Sequence, residues 1–144
     1  MKAKLILMCA VGIISLCLVA CTPPQASVDV SCDDFAESLN VTEEMEIGVG
    51  GSLIVSLCSN PSSTGFEWSE AQISDPSVLQ QTDHKYVAPE GTGSEPPLVG
   101  APGKDIWTFK ALKQGVSNTT MEYSQPWEGG TKAAWTFVLT VTVK

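Results

Sequence analysis

The C-terminal segment of the chain, residues 133–143, alternates between larger apolar side chains and smaller or more polar ones. The first set is Ala133, Trp135, Phe137, Leu139, Val141 and Val143, and the second is Ala134, Thr136, Val138, Thr140 and Thr142. A period of two places each set on one face of an extended strand. The segment is therefore expected to be a β-strand that buries its apolar face against other strands.

Further segments of the chain have the same character. Apolar residues alternate at Leu53, Val55 and Leu57, at Trp107, Phe109 and Ala111, and at Phe66 and Trp68. Other β-prone runs lie at 45–49, 78–87 and 116–123, each bounded by Gly, Pro, Asn or Ser. No amphipathic helix of convincing length is present. About seven or eight short strands separated by turns predict an all-β, immunoglobulin-like β-sandwich.

The N-terminus has the organisation of a bacterial export signal. Lys2 and Lys4 precede an apolar run from Leu5 to Leu18, which is short for a transmembrane helix. The run continues as Val19-Ala20-Cys21, which resembles the lipobox of bacterial lipoproteins. We expect residues 1–20 to be a lipoprotein signal peptide and Cys21 to carry the lipid that anchors the exported protein to the cell envelope. The sequence does not indicate which membrane carries this anchor.

Two regions follow the signal peptide. Residues 21–34 are rich in Pro, Ser, Thr, Gln and Asp and contain few large apolar side chains. This composition predicts a flexible tether without a core of its own. Residues 35–144 are enough for one domain, which we expect to be monomeric. Within it, the stretch from Pro89 to Pro102 is rich in Gly and Pro and predicts a long loop.

The charge of the chain limits its partners. The formal net charge is −8, and the sequence contains no arginine. Loss of Lys2 and Lys4 with the signal peptide would make the mature chain still more acidic. Nucleic acids and anionic lipid headgroups are therefore poor partners, and membrane association would depend on the lipid at Cys21.

The five cysteines point to a single bridge. Cys9 and Cys17 lie in the signal peptide and Cys21 is the lipidation site, which leaves Cys32 and Cys58. Two cysteines in an exported domain suggest one disulfide, and the alternative is a pair of buried free thiols. A zinc site is less favoured, because these two cysteines and His84 give three ligands without close spacing. We expect no metal and no cofactor.

Three short motifs lie in predicted loops between strands. They are Asn60-Pro61-Ser62-Ser63-Thr64-Gly65-Phe66, Gly100-Ala101-Pro102-Gly103 and Gln125-Pro126-Trp127. In order and spacing they resemble the three binding loops of the chagasin-type inhibitors of papain-like cysteine proteases. The resemblance implies an immunoglobulin-like fold whose three loops gather at one end and block a protease cleft reversibly. It also implies that the first loop lies over the catalytic cysteine. The first loop has one hydroxyl residue more than the family pattern, and Gln125 stands where the family has Arg.

The residue types in these motifs suit docking. Pro61, Pro102 and Pro126 each fix a backbone φ angle, which lowers the entropy lost when a loop is ordered in a complex. Gly65 permits a positive φ or a close approach of the backbone. None of the motifs contains an electrophile, so any block of a catalytic thiol would be reversible.

The four tryptophans have different predicted roles. Trp68, Trp107 and Trp135 lie in alternating strands and are expected in the core. Trp127 lies in a turn between Pro126 and Glu128-Gly129-Gly130 and is expected to be an exposed contact residue, because Trp is enriched among binding hot spots. The alternative is that Trp127 folds back over the edge of the sandwich.

Other functional classes have less support in the sequence. No Gly-x-Ser-x-Gly motif is present, His84 lies in a predicted strand, and the acidic residues are scattered, so we expect no enzyme. The Gly100–Gly103 motif lacks the lysine and the strand-to-helix context of a phosphate-binding loop. The main alternative to an inhibitor is a non-inhibitory immunoglobulin-like surface lipoprotein that binds a glycan or an envelope protein. A purely structural lipoprotein is a third possibility.

Overall fold

The computed structural model describes residues 23–91, 96 and 98–144. The predicted signal peptide (residues 1–20), the lipidation site Cys21 and Thr22 lie outside the described residues. None of the helices that are described is long and apolar enough to cross a membrane.

The described residues form nine strands and two short helices. The strands are β1 (Gln25–Val30), β2 (Asn40–Ile47), β3 (Ser52–Ser59), β4 (Glu67–Trp68), β5 (Gln72–Ile73), β6 (Leu79–Val87), β7 (Gly103–Ala111), β8 (Gly115–Ser124) and β9 (Trp135–Val143). The helices are α1 (Cys32–Glu37) and α2 (Pro61–Thr64). The β-rich runs predicted from the sequence are all found, and β4 and β5 are only two residues long.

The strands form two sheets. One sheet has the order β1-β3-β7-β6, and the other has the order β2-β9-β8-β4, with β5 also paired to β8. The pairs β1–β3 and β2–β9 are parallel, and the remaining pairs are antiparallel. This architecture confirms the prediction of an all-β sandwich.

The alternating strands supply the core, as their sequences predicted. On β9 the buried residues Phe137, Leu139, Val141 and Val143 face the same side. Leu53, Val55 and Leu57 of β3, and Trp107, Phe109 and Ala111 of β7, are buried in the same cluster. Burying a large apolar side chain contributes about 1.5–3 kcal/mol, so these three strands provide much of the driving force for folding.

The predicted tether is wrong from Gln25 onward. Residues Gln25–Val30 form β1, which pairs in parallel with β3 so that Val28 lies opposite Val55 and Val30 opposite Leu57. Both valines are buried in the core. The sequence signal is weak because only these two side chains are fully buried, the partly buried Ala26 on the same face is small, and the polar residues that alternate with them point to solvent.

Helix α1 begins at Cys32, within the expected tether, continues past its end at residue 34, and is attached to the sandwich. Its N-cap Ser31 forms a capping box with Asp34, and hydrogen bonds from the Ser31 hydroxyl and backbone lower the pKa of Asp34. Phe35 is fully buried and stacks on Trp135, with ring centroids 4.9 Å apart. A disulfide joins Cys32 to Cys58 at the end of β3, where their Cα atoms are 5.1 Å apart. The helix therefore covers one end of the core.

Candidate functional site

The first loop, Asn60–Phe66, begins where β3 ends and contains one helical turn. Pro61 opens α2, a position where its missing N–H costs nothing, and Gly65 ends it with a φ of 70°. The Thr64 hydroxyl donates to the Asn60 carbonyl at 2.6 Å and accepts from the Phe66 N–H at 3.2 Å. The extra hydroxyl residue of this loop is therefore accommodated within a short helix.

The base of the first loop is attached to the core through Tyr123. The Asn60 N–H donates to the Tyr123 hydroxyl at 2.8 Å, and Tyr123 is buried on β8. Phe66 is partly buried and stacks on the same ring, with centroids 5.4 Å apart. Phe66 therefore packs at the edge of the core, and both ends of the loop are held by one side chain.

The second loop approaches the first at Gly100. The Asn60 side-chain amide donates to the Gly100 carbonyl at 2.9 Å. Gly100 has a φ of 82°, and a Cβ atom built there would lie 3.6 Å from the Ser63 hydroxyl oxygen. Ala101 is partly buried and Pro102 is exposed, while Gly103 is the first residue of β7. A side chain at Gly103 would meet the Tyr86 hydroxyl at 2.7 Å, so this position requires glycine.

The third loop also contacts the first loop, through Trp127. The indole of Trp127 is 50% exposed, and its edge packs on the α-carbon of Gly65. Gln125 is half-buried and forms a hydrogen bond within its own loop. Its side-chain oxygen accepts from the Thr131 N–H at 3.0 Å, which braces the loop internally.

Lys132 brings a cation to this same loop. Its ammonium group donates to the Gln125 carbonyl and, at 3.1 Å, to the Trp127 carbonyl. Sequence reasoning missed this residue because it lies outside the three motifs. The only signal was its position shortly after Trp127 in a chain without arginine.

The three motifs therefore meet at one end of the sandwich. Contacts from Asn60 to Gly100 and from Gly65 to Trp127 connect the first loop to the other two. The side chains left exposed are small hydroxyls, two prolines and one large aromatic, namely Ser62, Ser63, Thr64, Pro102, Pro126 and Trp127. Such a surface loses little conformational entropy on binding, because its backbone is already fixed.

Two apolar residues next to the second motif were also missed. Leu98 is 84% exposed, and Val99 is completely exposed, directly before Gly100. Adjacent exposed apolar side chains beside a loop cluster are typical of an interaction surface. Their sequence signal was two neighbouring apolar residues in a loop rich in Gly and Pro, without the alternation of a strand.

A cavity of about 280 Å³ opens beside the first loop. Its walls are Pro61, Glu67, Trp68, His84, Tyr86 and Asp105. His84 lies on β6, as predicted, and its ring stacks on Trp107 with centroids 4.4 Å apart. Its Nε2 atom is 2.8 Å from Asp105 Oδ1. None of the six wall residues is Ser, Thr or Cys, so this His–Asp pair has no nucleophile beside it within the cavity.

The described residues offer little for a metal ion. Among residues 23–91, 96 and 98–144, no group of three His, Cys, Asp or Glu side chains is placed to share one. The two cysteines considered for zinc are joined to each other in the disulfide.

Comparisons with known proteins agree with this geometry. The sequence model of the Chagasin family peptidase inhibitor I42 matches residues 46–141, which include all three motifs. No protein with a curated description matches the sequence.

Several solved structures share the fold. The cysteine protease inhibitor EhICP2 from Entamoeba histolytica aligns with a TM-score of 0.63 at 20% identity, over 85% of this chain and 100% of that one. Amebosin aligns with a TM-score of 0.54 at 22% identity, over 84% and 99% of the two chains. PbICP-C, solved in complex with falcipain-2, aligns with a TM-score of 0.50 at 22% identity, over 73% and 89%.

Proposed function

The chain belongs to the Chagasin family of peptidase inhibitors, and from that premise we propose that it reversibly inhibits papain-like cysteine proteases by occupying their active-site cleft. Family membership makes it an inhibitor and not an enzyme. The observation that carries the proposal is the preformed loop cluster, in which Asn60 bonds to Gly100 and Trp127 packs on Gly65. The relatives support the class of partner, since EhICP2 is a cysteine protease inhibitor and PbICP-C was solved with falcipain-2.

Each loop has a distinct role in this proposal. The turn of α2 presents Ser62 and Ser63, whose small side chains suit a narrow slot beside a catalytic thiol. Gly100–Gly103 and Gln125–Trp127 contact the walls of the cleft, with Trp127 as the principal anchor. The loops offer the thiol no electrophilic group, so the complex dissociates without a covalent step.

The N-terminal sequence supports a lipoprotein form of this inhibitor, with residues 1–20 removed and Cys21 acylated. More than one acyl chain is needed for stable anchoring. The start of β1 lies beside Ser52, where the Pro24 carbonyl accepts from the Ser52 N–H at 2.9 Å. The first loop follows Ser59, at the other end of β3. An anchor at Cys21 would therefore enter the domain at the end opposite the loops and leave them facing away from the membrane.

The anchor is tested by replacing Cys21 with Ala in the cells that export the protein. The variant should incorporate no labelled fatty acid and should retain the uncleaved signal peptide. Incorporation of label at the wild-type level would contradict the assignment of Cys21.

Inhibition is tested by titrating purified residues 22–144 against papain, a serine protease and an aspartic protease. We expect a stoichiometric, reversible loss of papain activity and no effect on the other two enzymes. A folded protein that leaves papain fully active would contradict the proposal. That result would favour the alternative, a surface lipoprotein whose loops bind a glycan or an envelope protein.

A further inference from the structure

Of the residues in the three motifs, only Pro61 lines the cavity beside the first loop. Pro61 is the first residue of α2, so the cavity opens directly beside the surface that is proposed to enter the protease. Trp68 and Tyr86 supply aromatic walls, and Tyr86 is 41% exposed. A protease bound at the first loop would therefore lie next to this cavity.

The charge of the cavity is negative. Glu67 and Asp105 contribute two carboxylates, and none of the six wall residues is Lys or Arg. Asp105 is only 8% exposed, and its single side-chain hydrogen-bond partner among the described residues is His84. No lysine in the described part of the chain forms an ion pair with either carboxylate. Whether His84 is neutral or protonated, the two carboxylates leave the cavity acidic.

We propose that this cavity receives an arginine side chain from the rim of the target protease. This inference rests on the proposed inhibitory function and adds a fourth contact to the three loops. A guanidinium group donates paired hydrogen bonds to a carboxylate and stacks on aromatic rings, which matches Asp105, Glu67 and the aromatic walls. A volume of about 280 Å³ lies just below the range of about 300–1,000 Å³ typical of small-molecule sites, and it suits one long side chain.

The first test removes the charge without changing the shape of the cavity. Glu67→Gln and the double variant Glu67→Gln/Asp105→Asn are isosteric, and the amide that replaces the Asp105 carboxylate could still accept from His84. Glu44→Gln on β2 is the matched control, because it removes one exposed carboxylate away from the cavity. The inhibition constant for papain-like proteases that carry a rim arginine is measured at low and at high salt.

We expect the double variant to bind such a protease about tenfold more weakly or worse, with a smaller dependence on salt than the wild type. Glu44→Gln should stay within about twofold of the wild type, because isolated surface charges contribute little. Thermal unfolding of each variant confirms that the fold is retained. A folded double variant with unchanged affinity and unchanged salt dependence would overturn the proposal.

A second test needs no protease and separates this inference from the inhibitory function. Nα-acetyl-arginine amide is titrated into the isotopically labelled domain, and its neutral analogue Nα-acetyl-citrulline amide is the control. We expect weak, saturable NMR shifts at His84 and at the Trp68 indole for the arginine compound alone, and none in the double variant. Equal shifts for both compounds, or no shift for either, would overturn the cavity assignment. Failure of the wild-type protein to inhibit papain would instead contradict the proposed function.

Discussion

The indole of Trp127 rests on the α-carbon of Gly65. A Cβ atom built on Gly65 would lie 2.6 Å from Cη2 of Trp127 and 3.1 Å from its Cζ3. Gly65 also has a φ of 70°, a conformation that other residues adopt only with strain. Glycine is therefore required at this position for two reasons. It ends α2 with a positive φ, and its lack of a side chain leaves room for the aromatic ring. The contact couples the first loop to the third.

The first prediction concerns this contact. Gly65→Ala should displace Trp127 and weaken protease inhibition by about tenfold or more, because two loops lose their common arrangement. The matched control is Gly50→Ala. Gly50 has a φ of 80°, a Cβ atom built on it would meet open space, and it lies at the opposite end of the sandwich.

Both glycine variants should carry a similar backbone cost, about 1–2 kcal/mol in the free energy of unfolding. Inhibition constants and urea unfolding separate the two effects. If Gly65→Ala and Gly50→Ala lose inhibition equally, backbone strain accounts for the loss and the Trp127 contact does not contribute to inhibition.

The second prediction concerns Trp127 as an anchor. Trp127→Ala should weaken binding by about 2 kcal/mol, roughly thirtyfold, while the melting temperature changes little, because half of this side chain is exposed. Trp107→Ala gives the opposite profile, since Trp107 is fully buried and its truncation should cost about 3–5 kcal/mol of stability. A strongly destabilised Trp127→Ala that inhibits normally would assign this ring to packing.

Much of the sandwich could be predicted from period-two alternation. Strand β9 has a continuous inward set from Phe137 to Val143, and Trp68 and Trp107 are buried as their alternation indicated. Trp135 is partly buried but stacks on both Phe35 and Tyr123, which places it at the edge of the core. Alternation in the sequence was sufficient to predict a strand and its buried face wherever the strand contributes three or more inward side chains.

The segments that were missed depend on partners far away in the sequence. The two inward valines of β1 gain their role from the parallel pairing with β3, and α1 is fixed by Phe35 and the Cys32–Cys58 bridge. The same limit applies to the loops. Their order identified the motifs, but the internal hydrogen bond of Gln125 depends on the position of Thr131 in the folded loop.

The third prediction tests the contribution of β1. Val30→Ala removes two buried methyl groups from a side chain that is 3% exposed, and each buried carbon contributes about 0.8 kcal/mol before any cavity cost. We expect a loss of about 2 kcal/mol in the free energy of unfolding. Ser27→Ala, on the outward face of the same strand, should change stability little. Similar unfolding curves for Val30→Ala and the wild type would mean that this segment is a tether after all.

The fourth prediction tests the attachment of the first loop. Tyr123→Phe leaves the Asn60 N–H without its acceptor, and a buried unsatisfied donor costs about 1–3 kcal/mol. Inhibition should fall together with stability, because the base of the loop is released. Tyr86→Phe is the control, since the Tyr86 hydroxyl forms no hydrogen bond among the described residues and its ring is partly exposed. A Tyr123→Phe protein as stable as Tyr86→Phe would show that water replaces the lost acceptor.

The last prediction concerns Lys132. Its ammonium group bonds to the carbonyls of Gln125 and Trp127, and so holds the backbone on both sides of Pro126. Lys132→Met keeps most of the apolar length of the side chain and removes these donors. Because Lys132 is exposed, its loss should leave the melting temperature almost unchanged. Inhibition should still weaken severalfold, since the loop must then be ordered on binding.

Lys113→Met removes the same charge from an exposed lysine in the β7–β8 turn, away from the loops, and controls for the overall electrostatic attraction to the protease. If both variants weaken inhibition equally and high salt abolishes the difference from the wild type, Lys132 acts through its charge and not by bracing the loop.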